Sequence, residues 1–141
     1  MSDTEASRAV VRGYLAALQS GDLESLRRSF TPDATWYLRG GLPTSGTWTG
    51  PAEIIDTFLA RMMSRLDVTA PLSQEVTSLV ADGNTVLAEW TSRATTSRGA
   101  PYENEYAVVF VVREGKIAAV REYFDTAYAQ NVLFACTSVR E

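Results

Sequence analysis

The chain contains no histidine, a single cysteine and no long apolar run. Without histidine, only carboxylates and one thiol remain as metal ligands, which argues against zinc catalysis. Cys136 has neither an imidazole with which to form a nucleophilic pair nor a second cysteine for an internal disulfide, so it reads as an inert thiol. No apolar stretch approaches a membrane span, and the polar start MSDTEASR has no apolar signal core; the expected location is the cytoplasm, with no membrane partner. Basic residues are outnumbered 13 to 17 and scattered, apart from Arg27 and Arg28, so the formal charge of -4 offers no footprint for nucleic acid.

What is present suits one folded domain over 1–141. At 45% hydrophobic and 21% charged residues, the composition is that of a globular protein large enough for a real core. No internal repeat, low-complexity tract or interdomain linker interrupts it.

Local signals order the first half. Ser2, Asp3 or Thr4 caps a first helix in which Val10, Tyr14, Ala17 and Leu18 recur at helical spacing, and Gly21 ends it. Asp22 caps a short second helix, LESLRRSF. Thr31-Pro32-Asp33 turns into a strand, ATWYLRG, followed by a Gly/Pro/Ser/Thr loop through Gly50. Pro51 opens a third helix with an apolar stripe of Ile54, Ile55, Phe58, Leu59, Met62 and Leu66.

After Pro71 the pattern changes to alternation. LSQEVTSLVAD, TVLAEWTSRATTS, YENEYAVVFVV and KIAAVREYF are separated by Asp82-Gly83-Asn84, Arg98-Gly99-Ala100-Pro101 and Glu114-Gly115, which predicts an antiparallel meander. Helices first and strands afterwards argue for an α+β domain in which a curved sheet wraps over helices. The tail segment TAYAQNVLFA reads either as a short helix or as an added strand.

Within the last strand, period-2 alternation puts Ala118, Val120, Glu122 and Phe124 on one face, so a carboxylate shares a face with three apolar neighbours. It either finds a buried partner or faces a cavity, where desolvation raises its pKa toward the range useful for proton transfer. A two-residue turn at Glu114-Gly115 pairs Arg113 with Lys116. An uninterrupted ladder then sets Ala107 across from Glu122 and Glu105 across from Phe124, with Val109 and Val111 on the same inner face. The other face would carry Tyr106, Val108, Phe110, Ile117, Ala119, Arg121 and Tyr123, apolar enough to suggest cover by a second copy or by other elements of the chain.

Taken together, the helices, the first strand and the meander closing on GKIAAVREYFD resemble the nuclear-transport-factor-2-like superfamily, in its SnoaL-like and ketosteroid-isomerase-like branch, over nearly the whole chain. RAVVRGYLAALQSGDLESLRRSFTPDATWYLRG is similar to the opening of bacterial ketosteroid isomerases; the closing strand is similar to SnoaL-like polyketide cyclases and limonene-epoxide hydrolases. The resemblance implies a cone of about three N-terminal helices packed on a curved antiparallel sheet. It also implies a pocket for a small hydrophobic molecule, while the apolar outer face of the hairpin suggests a homodimer through the sheet, and no cofactor or metal is expected. Tyr14 falls where the isomerases keep an oxygen-stabilising tyrosine, whereas their base and second aspartate fall on Leu38 and Ala107. The water-binding tyrosine and asparagine of the epoxide hydrolases fall on Trp36 and Leu38, and their arginine-aspartate pair on Trp90 and Ser92. Glu122, seven residues after Gly115, falls where the cyclases place an acid/base aspartate.

The candidate catalytic residues are therefore Glu122 and Tyr14, with Trp36, Leu38, Phe58, Met62, Trp90, Ala107 and Phe124 as candidate substrate contacts. Each has a plainer alternative. Glu122 could pair with Arg39, Arg93 or Arg121, Tyr14 could be a core tyrosine, and the tryptophans could be core filling, with Trp48 a possible lid. Glu103 and Glu105 share one face near a strand start, where solvent exposure is the commoner outcome. The favoured function is acid/base isomerisation or cyclisation of a carbonyl compound. A non-catalytic ligand binder, a dimeric interaction module and an epoxide hydrolase are the alternatives.

Overall fold

The first helix, α1 (Asp3–Ser20), begins where its orphan amides are met. The Ser2 hydroxyl accepts from the Glu5 amide at 3.2 Å, and the Glu5 carboxylate accepts from the Ser2 amide at 3.3 Å, a reciprocal capping box. Gly21 ends it in the left-handed conformation at φ 71°. Asp22 then caps α2 (Leu23–Arg28) by accepting from the Ser25 amide, and Arg27 ties α2 to Asp56 at 2.6 Å. The computed structural model describes residues 2–134; the reading of Cys136 falls outside them.

Two strands follow, β1 (Phe30–Leu38) and β2 (Gly46–Thr49), the latter inside the stretch expected to be loop. The third helix has two parts, a π-helical segment, Ala52–Leu59, running straight into α3 (Ala60–Met63), and the Ala60 amide at their junction donates to the Ile55 carbonyl. Long π-helical stretches are rare and recur at functional sites; here Ile54, Ile55 and Phe58 turn inward. The meander is β3 (Ser73–Asp82), β4 (Thr85–Thr95), β5 (Pro101–Arg113) and β6 (Lys116–Phe124). The tail resolves as α4 (Thr126–Ala129), capped by Asp125, and a π-helical turn, Gln130–Phe134.

The six strands form one sheet in the order β2-β1-β6-β5-β4-β3, antiparallel except for the parallel pair of β1 with β6. Helices packed on this curved, unclosed sheet make an α+β cone. Thr4 and Gln19, at opposite ends of α1, hold the helix along β3 through the Gly83 amide at 2.9 Å and the Gln74 carbonyl at 3.0 Å. Val11, Tyr14 and Leu15 of α1 are buried with Phe110, Val120 and Ile117 of the sheet.

The last hairpin differs from the uninterrupted ladder. Arg113 does pair with Lys116, but Val112 faces Ile117 while Val111 faces Ala119, leaving Ala118 as the extra residue of a β-bulge. Beyond it, Glu122 lies across from Val108, not Ala107, and Phe124 from Tyr106, not Glu105. A one-residue slip exchanges the faces of a strand. The inward set of β5 is therefore Tyr102, Asn104, Tyr106, Val108, Phe110 and Val112, while Glu103 and Glu105 are exposed. Ile117, expected outside, is fully buried, whereas Ala118 is only partly so.

Candidate functional site

Glu122 is carried inward by the phase of β6 and is 8% exposed. In the neighbouring strand Leu38 is its direct partner and Trp36 lies opposite Val120, so the Trp36 indole leans one row along the sheet. Its Nε1 donates to Glu122 Oε1 at 2.9 Å. None of the arginines considered for Glu122 reaches it. Arg39 lies over the rings of Tyr37 and Tyr123, and Arg93 is held by Glu75 and Glu103. Burial without a cation pushes the Glu122 carboxyl up to about 7, against the Trp36 hydrogen bond, which favours the charged form.

A cavity of about 110 Å³ opens beside this carboxylate. Tyr14 and Leu18 of α1 and Phe58, Met62 and Met63 of the third helix form one wall. Trp36, Trp90 and Glu122 stand on the sheet side. Tyr14 is buried among Phe30, Trp36 and Phe110, with ring centroids at 5.6, 6.2 and 5.7 Å. Burial, then the nearby Glu122 charge, raises its pKa far above the ordinary phenol, so it is a hydrogen-bond donor and never a phenolate at neutral pH. Its hydroxyl has no hydrogen-bond partner among the described residues.

Some sequence-derived candidates lie elsewhere. Leu38 is fully buried beside Glu122 but does not reach the cavity, and Phe124 instead packs on Tyr106 at 4.5 Å. Ala107 lies on the outer face because of the bulge, so its match to the second isomerase aspartate brings it nowhere near the site. Trp48 sits on β2, donating to the Thr44 carbonyl at 2.9 Å and packing on Phe58, and is not part of the cavity wall.

The structure adds Tyr102, Asn104 and Tyr106, of which an uninterrupted ladder puts Tyr106 on the outer face. The Tyr102 and Tyr106 hydroxyls are 2.7 Å apart, and Asn104 Nδ2 donates to the Tyr102 oxygen at 3.0 Å. Both phenols line the cavity and are shifted up, chiefly by burial. The signal was available in YENEY. Two glutamates in alternation with Tyr, Asn and Tyr mark the glutamate face as the wet one. The arrangement offers a base near neutrality, phenolic donors around it and apolar walls that exclude water.

The pattern of the SnoaL-like domain family matches residues 11–120. No curated protein matches the chain. Among solved structures, an NTF2-like protein from Burkholderia xenovorans LB400 is similar, at 24% identity and TM-score 0.77 over 92% of this chain and 97% of that one. TerC, co-crystallised with polyporic acid, is 21% identical with TM-score 0.81 over 91% and 98% of the two chains. An LEH-like epoxide hydrolase of M. tuberculosis is 25% identical with TM-score 0.71 over 92% and 90%. By its sequence pattern over most of its length and by its architecture, the chain belongs to the SnoaL-like domain family, within the NTF2-like fold.

Proposed function

We propose that residues 1–141 form one SnoaL-like domain that catalyses proton transfer on a small, largely apolar carbonyl compound, by isomerisation or ring closure. The observation that carries this reading is a buried carboxylate at the cavity, held by one indole N–H, with a pKa of about 7. Glu122 takes a proton from the carbon next to the carbonyl. The C–H electron pair becomes the new C=C bond, and the carbonyl oxygen gains the negative charge, which the Tyr14 hydroxyl stabilises by donation. Returning the proton to another carbon completes an isomerisation. Attack of the enolate carbon on a second carbonyl, whose oxygen then takes the proton, completes a ring closure.

The test is deuterium incorporation from D₂O into the α-carbon of cyclohexanone. The wild type accelerates exchange over buffer, and Glu122→Gln loses the acceleration by at least about 100-fold, as expected of a general base. Equal exchange by both proteins sinks the assignment, and binding without exchange favours the non-catalytic binder.

Epoxide hydrolysis has one observation in its favour. The Tyr102 and Tyr106 hydroxyls of β5, on the cavity wall with Glu122, supply groups to position water in place of the tyrosine, asparagine and arginine-aspartate pair missing at Trp36, Leu38, Trp90 and Ser92. Release of a diol from limonene oxide in place of ketone exchange distinguishes it. The outer sheet face supports a homodimer, since Val80, Leu87 and Val109 form one apolar cross-strand row, with Val80 59% exposed. Sedimentation at two concentrations tests it.

A further inference from the structure

Hydrogen counting on β5 leaves donors unspent. Asn104 commits its amide nitrogen to the Tyr102 oxygen and to the Asp125 carbonyl, at 3.0 and 3.1 Å, and its Oδ1 to the Glu105 amide. The two tyrosine hydroxyls carry two hydrogens, and the bond between them uses one. Whichever donates, the other keeps a hydrogen that meets no acceptor among the described residues. Trp90, stacked on Tyr106 at 5.8 Å and 13°, adds a buried Nε1–H without a partner among the described residues. Unspent buried donors are rare because each costs the desolvation of its polar group.

Their position relative to Glu122 follows from the register. Tyr14 packs on Phe110, in the row of Val120; the Glu122 row comes next, and Tyr106 lies opposite Phe124 in the row beyond. Rows on one face are about 6.6 Å apart, so Tyr14 and the β5 phenols flank the carboxylate from opposite sides. The two flanks are two rows apart, about 13 Å along the sheet, and a hydrogen bond of about 2.8 Å at each end leaves a span on the order of one ring with an oxygen on either side. The cavity volume, about 110 Å³, agrees with this, being comparable to the engineered cavity of about 150 Å³ that takes benzene. Charge excludes an anionic guest. The guanidinium at the cavity, Arg93, is already bound at 2.9 and 3.2 Å by Glu75 and Glu103, and Glu122 contributes negative charge.

We infer that Tyr102 and Tyr106, positioned by Asn104 and backed by Trp90, form a second recognition site for an oxygen acceptor lying across a single ring from the reacting carbonyl. The substrate class is then a neutral one-ring compound with two oxygens, of which a cyclic 1,4-diketone is the simplest member. This rests on the proposed reaction for the role of the first oxygen, but the β5 site itself is tested by binding alone.

The experiment is calorimetric titration of the protein with cyclohexane-1,4-dione and with cyclohexanone, which share a ring and differ in the second oxygen. The wild type binds the dione roughly three- to tenfold more tightly, the worth of one neutral hydrogen bond. Either single Tyr→Phe variant retains part of the preference, because the remaining phenol still has a hydrogen to give. The double variant Tyr102→Phe/Tyr106→Phe, which keeps both rings in the wall, loses it. Equal wild-type affinities, no binding of either probe at millimolar concentration, or a preference that survives in the double variant overturns the inference. Glu122→Gln keeps the preference while losing exchange, so failure of the base assignment and failure of this site are separately visible.

Discussion

Trp36 and Glu122 lie 86 residues apart in sequence and meet across parallel strands, with the indole N–H donating to the carboxylate at 2.9 Å. This is the contact that keeps a buried, cation-free carboxyl group partly ionised near neutrality. Removing it in Trp36→Phe favours the protonated form. The pH midpoint of ketone exchange, near 7 in the wild type, moves alkaline in the variant, on the order of one pH unit, because a hydrogen bond to an ionised group is worth about 1.5 kcal/mol or more. A rate–pH profile of the two proteins checks it, and an unmoved midpoint refutes the role of Trp36.

Glu122 also makes stability depend on pH with a defined sign. Its folded pKa, about 7, lies above the ordinary value of 4.5, so between these limits the folded state holds more protons than the unfolded state. Stability therefore falls as pH rises through that window and is flat with respect to this group outside it, the total change being about 3 kcal/mol. Glu122→Gln has no such titration. Urea unfolding at pH 4.5 and pH 8 is expected to show the variant gaining on the wild type as pH increases.

Tyr14→Phe removes a hydroxyl that has no hydrogen-bond partner among the described residues and that, in the proposed reaction, donates to the developing enolate oxygen. Exchange falls by about 10²-fold or more, in line with loss of an oxyanion donor, while the thermal midpoint stays the same or rises. A large loss of stability with unchanged exchange would instead make Tyr14 a core residue.

The β5–β6 turn is strained at one position. Glu114 and Gly115 both have positive φ, 52° and 78°, as a type I′ hairpin requires, and glutamate is poorly suited to the first of them. Glu114→Asn supplies the favoured Asn-Gly pair and stabilises by about 0.5–1 kcal/mol. Thermal unfolding checks this at a site remote from the chemistry.

What could be read from the sequence was local. The Ser2 cap, Gly21 stop, Asp22 cap and glycine turns each act within a few residues, so their helices and strands were legible. The inward turn of Glu122 was legible too, from alternation beyond the bulge. The phase of β5 was not. Val108, Val109, Phe110, Val111 and Val112 are apolar on both faces, so alternation carries no sign there, and the Ala118 bulge breaks the counting from Glu114-Gly115. Alternation alone therefore turns Ala107 inward and gives no sign that Tyr102 and Tyr106 reach the cavity. The Trp36 hydrogen bond depends on the parallel β1–β6 pairing, which no short-range pattern encodes. The edge strand β2, four residues bounded by Gly46 and Gly50, is held by its pairing with β1 and by Trp48 packing on Phe58, contacts that no local pattern encodes.

Proton transfer at neutral pH requires that Glu122 be shut away from water beside the cavity. Carbon-13 NMR titration of its side-chain carboxyl, assigned by comparison with Glu122→Gln, is the most direct measurement. A midpoint of about 7 is predicted; titration near the ordinary 4.5 would contradict it.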